Sequence, residues 1–108
     1  MKEIRVGEYR CFVGVNAKEN WKLLEGAKSS DIFFHLADFP SCYVILETEE
    51  EVLPDVISEC ARICLENTKY RNMRGVYVEY TNVENVRKGE DVGEVIYVRE
   101  RKVKKLKV

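Results

Sequence analysis

Asp31 and His35 stand four residues apart at the two ends of Asp31-Ile32-Phe33-Phe34-His35, and His35 is the only histidine in the chain. On a regular strand that spacing puts a carboxylate and an imidazole on one face, a pair that could shuttle a proton or grip a ligand. The rest of the sequence does not support catalysis around them. It offers no cluster with metal-ligand spacing and no nucleophile set beside a base. No catalytic residue, metal ligand or cofactor is therefore assigned. Both groups are costly to bury unless hydrogen-bonded. Asp31 is read as an acceptor of backbone N–H groups at the strand entrance. His35 either satisfies a loop carbonyl or sits at a rim where it stacks on, or hydrogen-bonds, a base or phosphate.

The remaining reactive side chains are thiols and cations. Cys11, Cys42, Cys60 and Cys64 lie on apolar stretches and form no Cys-x-x-Cys pair, so they read as reduced core residues. Cys60 and Cys64 share a helix face whose parallel side chains suit a disulfide poorly. The net charge of −1 hides an asymmetry: residues 1–68 carry 7 basic and 13 acidic side chains, residues 69–108 carry 11 and 6. Lys69, Arg71 and Arg74 on one loop, with Arg87 and Lys88 on another, are read as one basic rim. Asn16 and Lys18 open a helix whose free N–H groups would add to an anion site. Lys102, Lys104, Lys105 and Lys107 read equally well as solubility devices on a terminal edge strand.

The elements that must position these groups follow from periodicity. Ile4 and Val6, a Gly7-Glu8 turn, and Tyr9 to Val15 read as a hairpin. Asn16-Ala17-Lys18-Glu19 is a capping box with asparagine as the cap, opening a helix over 17–25 with Ala17, Trp21 and Leu24 on one face and Gly26 as its C-terminal glycine. Asp31–His35 and Cys42–Leu46 are two strands joined by a turn at Pro40. Leu53, Val56, Ile57, Cys60, Ala61 and Cys64 recur at three- and four-residue steps behind Pro54, the clearest helix in the chain. Val76–Tyr80 is a strand, Thr81–Glu90 a polar connection, and Glu94–Arg99 and Val103–Val108 the last two strands. The sum is one α+β domain over residues 1–108, a largely antiparallel or mixed sheet of hairpins with one long and one short helix packed on it. No run of about 18 apolar residues is present, so no membrane partner is expected. The charged N-terminus lacks the apolar stretch of a signal peptide, and a cytoplasmic location is expected, with a nuclear one as the alternative.

Four segments, taken in order, resemble the NFACT-R domain, the RNA-binding module of NFACT proteins. They are Val13-Gly14-Val15-Asn16-Ala17-Lys18-Glu19-Asn20, Asp31-Ile32-Phe33-Phe34-His35, Pro40-Ser41-Cys42-Tyr43-Val44-Ile45, and Val78-Glu79-Tyr80-Thr81 with Asn85-Val86-Arg87-Lys88 and Gly93-Glu94-Val95. The resemblance runs from about Tyr9 to the C-terminus and rests on order and spacing. Full-length NFACT proteins act in ribosome-associated quality control, recognising obstructed large subunits and recruiting tRNA. This chain is similar to the free-standing eukaryotic branch, without the N-terminal domain and coiled coil, so the tailing activity of the full-length proteins is not carried over. It departs from the family with Phe33 where Trp is frequent, Val15 where Arg is frequent, and Ser41-Cys42-Tyr43 in place of a Gly-Ser-His turn.

The resemblance implies a non-catalytic RNA-binding module for tRNA or large-subunit ribosomal RNA, with the large subunit itself as a partner and DNA as an alternative polyanion. The implied contact residues are Asn16, Lys18, His35, Lys69, Arg71, Arg74, Arg87 and Lys88. The alternative from another class is a protein-interaction adaptor that uses a sheet edge or the acidic loop Glu47–Glu51.

Overall fold

The computed structural model describes all 108 residues. Strand β1 (Lys2–Val6) turns through Gly7 into β2 (Tyr9–Val13). Gly7 has φ of +60° and Glu8 stays at negative φ, the combination a type II′ hairpin turn needs. Helix α1 (Ala17–Gly26) is capped by Asn16, whose Oδ1 accepts the Glu19 N–H at 2.9 Å. Glu19 reaches back to the Val15 N–H at 3.0 Å, one residue beyond the usual reciprocal bond. The other end differs from expectation: Gly26 is the last helical residue, and the chain leaves through extended Ala27 with no left-handed glycine.

Strands β3 (Ile32–Leu36) and β4 (Val44–Leu46) form the centre, and α2 (Pro54–Glu66) follows the acidic loop. Then come β5 (Tyr77–Asn82), a 3-10 turn at Val83–Asn85, β6 (Val86–Lys88), β7 (Val95–Tyr97), a second 3-10 turn at Glu100–Lys102 and β8 (Lys104–Lys107). The main sheet has six strands in the order β1-β2-β4-β3-β5-β8, and every pairing is antiparallel. The fold is α+β, as the periodicity requires.

Both faces of this sheet are covered, which explains why the β3 and β4 sequences are apolar without alternation. Cys11, Val13, Phe34, Leu36, Val44, Leu46 and Val78 point to one side and pack under α2, which buries Cys60, Ala61, Ile63, Cys64 and Leu65. Phe33, Tyr43 and Ile45 point to the other, where Leu24 of α1 and Val83 and Val86 meet them. Fully burying an aliphatic or aromatic side chain contributes roughly 1.5–3 kcal/mol, so each layer is anchored by several such groups.

One sequence expectation is corrected. Arg87 and Lys88 do not sit in a polar loop but on β6, which pairs with β7 as a separate two-stranded ribbon. The buried Asn85 makes this path feasible. Its amide donates to Thr81 Oγ1 at 3.1 Å and Arg99 O at 3.0 Å, and its Oδ1 accepts the Arg99 N–H at 2.8 Å. One side chain thus satisfies backbone groups that the turn would otherwise bury unpaired.

Candidate nucleic-acid interface

The end of the sheet where β2 and β3 finish and β4 and β5 begin opens into a cleft of about 550 Å³. Its walls come from the β2–α1 turn, the β3–β4 loop, the loop after α2, and Val92 and Gly93 at the ribbon tip. Lys2, His35 and Lys69 line it together with Asn16, and no carboxylate does. A groove of equal volume at the opposite end runs past Glu49, Glu50 and Glu51 beside Lys102 and Lys104. Its three carboxylates disfavour a polyanion, so the electrostatics single out the first cleft.

His35 is placed by β3 at the inner edge of this cleft. Its ring lies parallel to Phe33, with centroids 6.2 Å apart at 7°, and meets Tyr43 edge-on at 5.9 Å. Nδ1 lies 2.6 Å from Leu36 O, a carbonyl that can only accept, so Nδ1 carries the proton. Burial lowers the pKa of the ring, partly opposed by that carbonyl. The imidazole is therefore neutral at neutral pH. Nε2 has no protein partner and is not sealed from solvent, so its lone pair is free to accept a hydrogen bond. Such a group accepts a hydrogen bond from a hydroxyl or amine and does not act as a phosphate counter-ion.

Asp31 is structural. Buried to 3% exposure, it accepts the Lys28 N–H at 2.8 Å and the Thr48 N–H at 3.1 Å, tying the α1–β3 loop to the end of β4. Asn16 caps α1 and lines the cleft, so both of its readings hold in one place. Lys18 is exposed on the first turn of α1, outside the lining. Lys69 is in the wall, its ammonium 5.4 Å from the Tyr70 ring centre.

Arg71 and Arg74 follow on the same loop, exposed and without a carboxylate in ion-pair range. Arg87 and Lys88 are elsewhere. The Arg87 guanidinium donates to Glu84 O at 3.0 Å and Val86 O at 2.9 Å. Lys88 pairs with Glu25 of α1 and stands 5.0 Å over the Trp21 ring. The structure thus brings Asn16, His35 and Lys69 together and leaves Arg87 and Lys88 out of the cleft.

Two contributors escaped the sequence reading. Lys2, at the N-terminus, reaches the cleft and donates to Asn67 Oδ1 at 2.8 Å. Asn20, 5% exposed, accepts the Tyr43 N–H at 3.1 Å and locks α1 against the sheet end. Gly14 makes room for it: a Cβ there would lie 2.0 Å from Asn20 Oδ1. Their helical neighbour Trp21 is a staple, donating its indole N–H to Glu94 O at 3.0 Å. Tyr43, its pKa pushed up to about 12 mainly by burial, donates its hydroxyl to Gly93 O. These bonds hold the ribbon tip in place as a cleft wall.

Residues 3–105 match the family of the NFACT protein RNA binding domain. The chain belongs to that family. Among curated relatives, the Coiled-coil domain-containing protein 25 homolog of Dictyostelium discoideum is 29% identical over 106 residues, covering 90% of this chain and 51% of the relative. Coiled-coil domain-containing protein 25 of Bos taurus is 28% identical over 105 residues, covering 89% and 50%. The chain therefore spans about half the length of the curated relatives it matches. Among solved structures, the C-terminal part of the fibronectin/fibrinogen-binding protein of Streptococcus suis superposes with a TM-score of 0.85 at 27% identity, over 94% of this chain and 41% of that one. The NFACT RNA-binding domain is thus an RNA-binding module by family, and the cleft is where its charge and concavity coincide.

Proposed function

We propose that this NFACT RNA-binding domain is a non-catalytic module that engages tRNA or large-subunit ribosomal RNA in ribosome-associated quality control, in the cytoplasm. The observation that carries the reading is the carboxylate-free cleft lined by Lys2, His35, Lys69 and Asn16. Two ammonium groups supply phosphate contacts, and Arg71 and Arg74 extend the positive surface beside them. The neutral His35 Nε2 supplies an acceptor suited to a ribose 2′-hydroxyl, the group that distinguishes RNA from DNA. Binding is then driven by shape and charge, with weak sequence preference.

Titrating labelled tRNA at increasing salt tests this. With about four phosphates neutralised, log affinity falls against log salt with a slope of about −3 to −4. Affinity indifferent to salt sinks the proposal. The adaptor reading has one observation of its own, Ile96 on β7 and Val98 just past its end, each 53% exposed. Loss of a protein partner on Ile96→Lys with tRNA binding intact would favour it.

A further inference from the structure

The four cysteines fall into two facing pairs. Cys11 of β2 and Cys60 of α2 meet inside the core, both with 0% exposure. Cys42, on the β3–β4 loop, and Cys64, near the end of α2, form the second pair. Cys64 is fully buried, whereas Cys42 is partly exposed and lines the cleft. Cys42 Sγ lies 3.7 Å from Cys64 O, and Cys64 Sγ lies 3.8 Å from Cys42 O. That reciprocal crossing lays the two side chains alongside each other and brings their sulfurs together.

We infer that Cys42 is an oxidative modification site, a cleft thiol that reacts with hydroperoxides, and that Cys64 is its resolving partner. The roles follow from environment. The Cys64 S–H donates to Cys42 O, and the adjoining Cys64 thiol, with burial opposing and the Lys2 ammonium assisting, lowers the Cys42 pKa. The same contact, together with burial, pushes the Cys64 thiol up. Thiolate character and access therefore coincide at Cys42, where a nucleophile needs them, and Cys64 stays protonated in reserve.

The steps balance. The Cys42 thiolate attacks one oxygen of a hydroperoxide and the O–O bond breaks. Sulfur is oxidised to a sulfenic acid, and the leaving alkoxide takes up the thiol proton as an alcohol, or as water from hydrogen peroxide. The Cys64 sulfur then attacks Cys42 sulfur, the S–OH bond breaks, and the hydroxide leaves with the Cys64 proton as water. The product is a disulfide between the β3–β4 loop and the end of α2. Pro40 and Ser41 flank one end of that link, and Asn67 to Tyr70 lie just past the other, so it fastens two walls of the cleft. An effect on RNA rests on the function proposed above; the thiol chemistry does not.

The test uses the full chain, reduced and then exposed to equimolar hydrogen peroxide, alkylated and mapped by non-reducing mass spectrometry. A Cys42–Cys64 linked peptide is expected, with Cys11 and Cys60 modified only after denaturation. In Cys64→Ala, dimedone should instead trap a sulfenic acid on Cys42. Absence of both products, or oxidation of Cys11 and Cys60 as fast as Cys42, overturns the assignment. Labelled tRNA binding is then compared between reduced and oxidised protein. A loss of affinity reversed by dithiothreitol supports control of the cleft, whereas a linked protein that binds unchanged overturns that control alone. Reduced protein that does not bind tRNA at all refutes the functional proposal and leaves the peptide map to judge the thiols.

Discussion

Replacing Lys2 and Lys69 together by glutamine removes two positive charges from the cleft and leaves its shape almost intact. Both side chains belong to exposed residues, and neither ammonium has a carboxylate within ion-pair range. Their charge is therefore available to a ligand instead of being neutralised inside the fold. A unit charge about 4 Å from a phosphate is worth about 1 kcal/mol in water and more where solvent is partly excluded. Taking the lower figure for each lysine, the double variant loses about 2 kcal/mol, a drop in tRNA affinity of roughly thirtyfold at low salt. The salt slope should also become less negative by about 1.4 to 1.8, since each phosphate contact contributes about 0.7 to 0.9. The assay is fluorescence anisotropy of labelled tRNA between about 50 and 200 mM salt. Lys102→Gln with Lys104→Gln is the matched control, equal in charge and located at the opposite groove. Thermal melting checks that the fold is unharmed, because surface changes of this kind stay within about 0.5 kcal/mol. If the control pair reduces affinity and slope as much as the cleft pair, net charge alone governs binding and the cleft has no special role.

Asp31→Ala should destabilise by roughly 2–4 kcal/mol in urea unfolding, because the Lys28 and Thr48 N–H groups each lose a charged acceptor. Gly93→Ala should cost more than about 1 kcal/mol and weaken tRNA binding: φ is +92° and a Cβ would lie 2.7 Å from that of Ala17, forcing the ribbon tip off α1. His35, with its folded pKa below the unfolded value, contributes stability that is present above about pH 6.5 and is lost as pH falls toward the folded pKa. Urea midpoints of wild type and His35→Gln across that window should converge on acidification; parallel curves would contradict the burial argument.

The secondary structure was readable wherever one local signal fixed it. Pro54 with three- and four-residue spacing marked α2, and the Gly7 turn marked the first hairpin. Asn16 marked the start of α1 and Leu24 faces the core as the pattern required, although Asn20 joins it there while Ala17 stays exposed. The ribbon was not readable, because Val86-Arg87-Lys88 is too short to show a period and its pairing depends on Asn85 reaching Arg99. The cleft was half legible. His35 and Asn16 drew notice through residue type, and Lys69 through charge, but Lys2 sits 67 positions away from Lys69 in a terminus that looks merely solvated. Only sheet order, with β1 beside β2 and the β2–α1 turn facing the loop after α2, brings them to one opening. Lys88 shows the converse, a cation whose charge is consumed by Glu25 through a helix-to-ribbon contact that no local pattern encodes.

The ribbon's separation from the main sheet has a dynamic corollary. Strands of three residues each, fastened by Tyr43, Trp21 and Asn85, can detach in a sub-global opening that leaves the six-stranded sheet folded. Amide hydrogens of Gly89 and Val98 should therefore exchange well before that of Phe34. Warming short of the melt would then dismantle the binding surface while far-ultraviolet circular dichroism still registers a nearly native protein.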